Sequence, residues 1–154
     1  MDLSDLIDAS AILPALKANS KKQLLQLLAE KAAAITGLPA REVFDTILQR
    51  ERLGSTGVGN GIAIPHGKLP GVKRITGVFA RLDTPVDFEA LDDQPVDLVF
   101  LLLAPEGAGA DHLKALSRIA RVLRDGETVA KIRGTLDPAA IHTLLSDTPA
   151  SHAA

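Results

Sequence analysis

The sequence predicts one α/β or α+β domain in three layers, with helices packed around a sheet. Three observations point there. An apolar stripe at helical spacing runs through Leu24, Leu25, Leu27, Leu28, Ala32 and Ile35. The segment Val96 to Ala104 is almost wholly apolar, the pattern of a strand buried on both faces. The last third is helical, with Leu113, Leu116, Ile119, Ala120 and Leu123 assigned to the inward face. At 154 residues the chain suits one hydrophobic core, which we place over 1–145, with a flexible tail over 146–154.

Each element has a local signal. Ile7 to Leu16 reads as a short strand or extended lead-in. Ser20 and Gln23 stand as a capping box at the head of the first helix, and Gly37 stops it. Pro39 opens a second helix with Val43, Phe44, Ile47 and Leu48 on one face. From Gly54 to Gly71 the chain is glycine-rich loop, interrupted by a short strand at Ile62 to Ile64. Strands follow at Ile75 to Leu82 and Val96 to Ala104, with a short one at Val86 to Phe88 between them. A helix runs from about Asp111 through Leu123 until Gly126 breaks it, and a short helix spans Glu127 to Ile132. Asp137 and Pro138 form an N-cap and N1 pair for a last helix through Leu145.

Composition removes several function classes. The net charge of −2 supplies no electrostatic reason to bind nucleic acid. Cysteine is absent, which excludes disulfides, thiolate catalysis and cysteine-based metal sites. Trp and Tyr are absent too, so the usual stacking platforms for sugars or bases are missing. The acidic N-terminus does not read as a signal peptide, and the apolar run Leu98 to Ala104 is too short to span a bilayer. A cytoplasmic protein with no direct membrane insertion is the expectation.

The segment that carries chemistry is Thr56 to Lys68. A strand ends at Ile64, Pro65 fixes φ, and His66 follows where a side chain can reach a cleft. Gly57, Gly59 and Gly61 permit positive φ, and such a loop can aim backbone N–H groups at an anion. A neutral imidazole has a nucleophilic nitrogen that can hold a phosphoryl group covalently. Arg52, Lys68 and His112 are candidates to offset the charge so added. Two other readings stay open: His66 as a structural turn residue, and a zinc site using both histidines. The glycines match neither a Rossmann fingerprint nor a P-loop, since Leu69 follows Gly67-Lys68. His142 and His152 read as surface residues.

The run RERLGSTGVGNGIAIPHGKLPGV resembles the active-site segment of the IIA domains of the phosphoenolpyruvate-dependent phosphotransferase system, fructose/mannitol class. Within it, TGVGNGIAIPHGK is most similar to the nitrogen-regulatory branch. The resemblance extends to VDLVFLLLAPEG and DHLKALSRIARVLRD, roughly Leu3 to Leu145. It implies a mixed parallel/antiparallel sheet with helices on both faces. It implies His66 as the phosphorylated residue, by analogy on Nε2, and His112 as a hydrogen-bond donor to it. Arg52 would offset phosphoryl charge, while Thr56 and Asn60 would shape the pocket together with Gly57, Gly59 and Gly61. No cofactor or metal is implied.

The same resemblance implies a phosphotransferase component working in a relay rather than a stand-alone enzyme. Its donor would be a small histidine-phosphorylated (HPr-like) carrier protein, charged from phosphoenolpyruvate through an enzyme I component. Three functions follow as expectations. The first is a regulator that binds target proteins according to its phosphorylation state. The second is a sugar-transport component that passes phosphate to a IIB domain. The third is a binding module in which His66 is never phosphorylated.

Overall fold

A computed structural model describes residues 2–146; Met1 and residues 147–154, most of the expected tail, lie outside the described residues. Two short 3-10 turns, Leu3–Asp5 and Ala9–Ala11, lead into strand β1 (Ile12–Leu16). The capping box forms, with Ser20 Oγ accepting from the Gln23 amide at 3.1 Å, and it opens α1 (Lys21–Thr36). Gly37 ends that helix in the left-handed region at φ 78°. Helix α2 spans Ala40–Arg52. Then come β2 (Gly57–Gly59), β3 (Ile62–Ala63), β4 (His66–Leu69), β5 (Thr76–Val86) and β6 (Val96–Pro105). Helices α3 (Ala110–Val122), α4 (Gly126–Arg133) and α5 (Pro138–Ser146) complete the chain.

The strands form one mixed sheet in the order β1-β5-β6-β3-β2, with β4 also on β6. β5 and β6 are antiparallel, while β1 runs parallel to β5 and both β3 and β4 run parallel to β6. The expected class and mixed sheet are what the molecule has. β5 differs from its expectation: one strand reaches Val86, which pairs with Val96, and Asp87 and Phe88 lie outside it, so no separate strand forms at Val86 to Phe88. The register shift between Arg81 and Val86 disturbs the alternation there and hides the continuity.

β6 is the spine, and its alternation divides the core. Val99, Leu101 and Leu103 pack with Leu24, Leu25 and Leu28 of α1 and with Val43 and Ile47 of α2. Leu98, Phe100 and Leu102 pack on the opposite face with Ala115 and Ile119 of α3, Ile132 of α4 and Ile141 of α5. Burying each large side chain this way contributes about 1.5–3 kcal/mol before entropy is counted. Leu113 departs from expectation, being 65% exposed, while Ala115 takes the inward position. A leucine and an alanine two residues apart cannot share one helix face, so the inward stripe is set by Ala115, Ile119 and Val122.

Candidate functional site: a histidine pair at the sheet edge

β6 also serves as a ruler for the glycine-rich segment. Ile62 and Ala63 pair with Leu98 and Val99, and His66 to Leu69 pair with Leu102 to Pro105. Pro65 lacks an N–H and interrupts the ladder, so β3 and β4 lie end to end along one edge of β6. His66 therefore starts an edge strand rather than ending one. Leu69 joins the core under α1 and α2, which puts Gly67 on that face and His66 and Lys68 on the other by strand alternation. Gly67 carries a steric requirement: a Cβ there would lie 2.8 Å from Thr46 Cγ2. Only glycine lets α2 lie so close beside the histidine.

A cavity of about 470 Å³ opens at this edge, lined by Thr46, Gln49, Arg50, Leu53, His66, Gly67, Lys68 and His112. The His66 and His112 rings are 5.6 Å apart between centroids and tilted by 54°. His66 Nδ1 lies 2.9 Å from the Ile64 carbonyl oxygen. A carbonyl can only accept, so Nδ1 carries the proton and donates, which leaves the Nε2 lone pair free. His112 is buried in the first turn of α3, and its Nδ1 has no hydrogen-bond partner among the described residues. Such a buried, unpaired nitrogen is costly unless something else engages it.

Both imidazoles are held below their ordinary pKa of 6.5. For His66 the main cause is burial; Arg50 adds to it, while the Ile64 hydrogen bond and Glu51 oppose it. For His112 the causes are burial, then the charges of His66 and Lys68. Burial penalises a charged ring, so both are neutral near pH 7. The cleft thus holds an uncharged nucleophilic nitrogen beside a second imidazole and two cationic side chains.

Residues 5–148 match the family described as "Phosphoenolpyruvate-dependent sugar phosphotransferase system, EIIA 2". The chain belongs to this family. Among curated relatives of the EIIA type-2 domain, a nitrogen regulatory protein of Bradyrhizobium diazoefficiens is 63% identical over 153 residues, covering 99% of this chain and all of that one. A nitrogen regulatory protein of Escherichia coli is 41% identical over 149 residues, covering 96% and 91%. The crystal structure of nitrogen regulatory protein IIA-Ntr from Neisseria meningitidis superposes with a TM-score of 0.89 at 35% identity, over 93% of this chain and 98% of that one.

The EIIA type-2 domain brings together only some of the residues singled out from sequence. His66 and His112 meet, with Lys68 beside them. Arg52 does not join them. It lines a different cavity, with Lys21, Lys22, Leu25, Leu48 and Glu89, while Arg50 lines the histidine cleft. Two positions along a helix turn the side chain by roughly 200° at 3.6 residues per turn, so Arg50 and Arg52 point to nearly opposite sides. Position in a string of three charged residues cannot show which one faces the strand that follows.

None of Thr56, Gly57, Gly59, Asn60 and Gly61, the expected phosphate pocket, lines the histidine cleft; the Thr56 carbonyl accepts from the Ile64 amide at 3.0 Å, close to the start of β4, while the turn at Gly59 to Gly61 stands further off. Ile62 and His66 pair with β6 residues four positions apart, roughly 13 Å at 3.3 Å per residue, and the β2–β3 turn is beyond Ile62. Thr56 is buried, and its amide and hydroxyl both donate to the Glu51 carboxylate. The Gly57 amide donates to Ser55 Oγ. The turn does receive an anion, but an internal one. The Asn60 amide donates to Asp92 at 2.9 Å, which with the Gln94 amide holds that carboxyl below its ordinary pKa. Arg133 donates to the Asn60 carbonyl and pairs with Asp97 at 2.9 Å. A Cβ on Gly61 would lie 2.5 Å from that guanidinium, so glycine makes room for the latch.

Sequence reasoning missed Arg50, the cleft residues Thr46, Gln49 and Leu53, and the anchoring Glu51. None of them had a signal legible in the sequence, since each is placed by the rotation of α2 and its approach to Gly67. His142, read as a surface residue, donates from Nε2 to the Ile7 carbonyl at 2.8 Å and ties α5 to the N-terminal segment. His152 lies outside the described residues. Among the described residues no cluster of three His, Asp or Glu side chains could hold a metal ion, and no helix is long and apolar enough to cross a membrane.

Proposed function

We propose that this EIIA type-2 domain accepts a phosphoryl group on His66 Nε2 from a histidine-phosphorylated carrier protein, and regulates target proteins in the cytoplasm by binding them. The observation that carries the reading is the Nδ1–H bond to the Ile64 carbonyl. It commits the proton to one nitrogen and leaves the other as a nucleophile on the cleft side. In the transfer, the Nε2 lone pair forms the new N–P bond as the donor's N–P bond breaks. That electron pair stays on the donor imidazole. His66 keeps its Nδ1 proton, so its ring becomes cationic, and the Ile64 carbonyl stabilises it.

The incoming group brings about −1.5 to −2 charges at neutral pH, by analogy with phosphate esters of hydroxyl side chains. Arg50 and Lys68 line the cavity and offset that charge. A neutral His112 donates a hydrogen bond to the phosphoryl oxygens, at a helix N-terminus whose dipole favours an anion. The names of the relatives favour regulation over sugar transport as the output.

Incubation with phosphoenolpyruvate, enzyme I and the carrier should add the mass of one phosphoryl group, labile to acid. His66→Ala should take up none. Uptake in that variant would sink the site, and no uptake by the wild type would favour a plain binding module. Rapid onward transfer to a sugar-specific IIB protein would favour the transport reading.

A further inference from the structure

We propose that a second cavity, on the far side of α2 from the histidine cleft, binds a small aliphatic dicarboxylate, and that its occupancy reaches His66 through Glu51. Neither half requires phosphorylation of His66.

The cavity lies between the first turn of α1 and the last turn of α2 and shares no lining residue with the histidine cleft. Its volume of about 550 Å³ is that of a small-molecule site. Leu25 and Leu48 give it an apolar wall, and Lys21, Lys22 and Arg52 give it cations. Lys21 is already committed. Its ammonium lies 2.9 Å from the Glu51 carboxylate and 4.5 Å from the centroid of the Phe88 ring. Lys22 and Arg52 enter no ion pair among the described residues. Two free cations beside an apolar wall match two carboxylates joined by a short aliphatic chain.

The opposite wall limits how much charge the ligand carries. Ser55 Oγ donates to the Phe88 carbonyl at 2.8 Å, which ties the loop after β5 to the segment after α2 and brings Glu89 to the cavity. Glu89 holds a left-handed backbone at φ 57°, uncommon for a residue with a side chain. With Glu51 and Glu89 against three cations the lining is only weakly positive, which suits carboxylates better than a polyphosphate.

The last turn of α2 separates the two sites. Arg50 lines the histidine cleft, Arg52 lines the second cavity, and Glu51 is buried between them. From Glu51 a continuous run of hydrogen bonds reaches the reactive ring. Glu51 accepts from the Thr56 amide at 3.1 Å, the Thr56 carbonyl accepts from the Ile64 amide at 3.0 Å, and the Ile64 carbonyl accepts from His66 Nδ1 at 2.9 Å. The Glu51 charge also acts on His66 directly, favouring its protonated form. A carboxylate in the cavity shares the Lys21 ammonium with Glu51. More of the Glu51 charge is then uncompensated, and each bond that follows is polarised.

The test is an NMR titration of the isotope-labelled, unphosphorylated protein with glutarate at constant ionic strength. The amides of Lys22, Arg52 and Ser55 should shift and saturate with a Kd in the millimolar range, and the His66 ring resonances should move along the same curve. Lys22→Gln with Arg52→Gln should weaken binding about tenfold. Both side chains are exposed, so circular dichroism should match the wild type. Glutaramide, the uncharged analogue, should not bind, and inorganic phosphate should bind more weakly than glutarate. No saturable shift at these amides, or a Kd unchanged in the double variant, overturns the site. Phosphate binding as tight as that of glutarate, or equal binding of glutaramide, overturns the dicarboxylate assignment. Saturation at the cavity with no movement of the His66 resonances overturns the coupling. Phosphoryl uptake at His66, followed separately by mass, reports on the acceptor reading alone.

Discussion

His66 and His112 bind protons less tightly in the folded protein than in the unfolded chain, chiefly because burial penalises the charged ring. As pH falls through 6.5 the unfolded chain takes up protons that the native state refuses. The stability these two groups contribute is therefore complete above 6.5 and declines below it, until the folded values are reached. Urea denaturation at a series of pH values should show that decline, and His66→Asn with His112→Asn should flatten it. An NMR titration should place the His66 midpoint below 6.5. A midpoint at or above 6.5 would mean that the Ile64 bond and Glu51 outweigh burial and Arg50. The residue type and the proline before it made His66 legible as a candidate nucleophile. Its proton affinity was not legible, because that depends on what the fold packs around the ring.

Among the elements, the end of α2 depends on Glu51. Its side chain is 2% exposed, pairs with Lys21 at 2.9 Å and accepts from both the amide and hydroxyl of Thr56. It joins the start of α1, the last turn of α2 and Thr56 just before β2, and Arg50 stands in the same turn. Glu51→Ala leaves a buried amide and hydroxyl without their acceptor and should cost about 3 kcal/mol in chemical denaturation. A loss under about 1 kcal/mol would show that the turn is held by other contacts. The helices themselves were legible from Ser20, Gly37, Pro39 and their apolar stripes, because caps and periodicity are local. The rotation of α2 about its axis was not. Val43 and Ile47 point inward, and that decides that Arg50 rather than Arg52 meets the histidine cleft.

Across the whole molecule, β6 separates two ends with different tasks. Asp97, at its start, pairs with Arg133 and latches the glycine turn; Leu102, further along, pairs with His66. If the turn is structural, loosening it should not disturb the chemistry. Asp97→Ala should cost about 1 kcal/mol, since the pair is partly exposed, and lower Tm by a few degrees. The rate of phosphoryl uptake should stay within about twofold of wild type. A large loss of rate would return the turn to the phosphate site.

The local code of the chain settled the helices and the central strand, and marked His66 as the candidate site residue. Caps, helical stripes, a doubly apolar strand and a proline before His66 act within a few residues of themselves. Tertiary structure decided which groups meet. Pairing on β6 placed His66 four positions from the glycine turn, gave that turn Asp92 as its anion, and brought in Arg50 and His112 from two helices. Those outcomes depend on register, on helix rotation and on contacts between residues far apart in the chain, which no local pattern encodes.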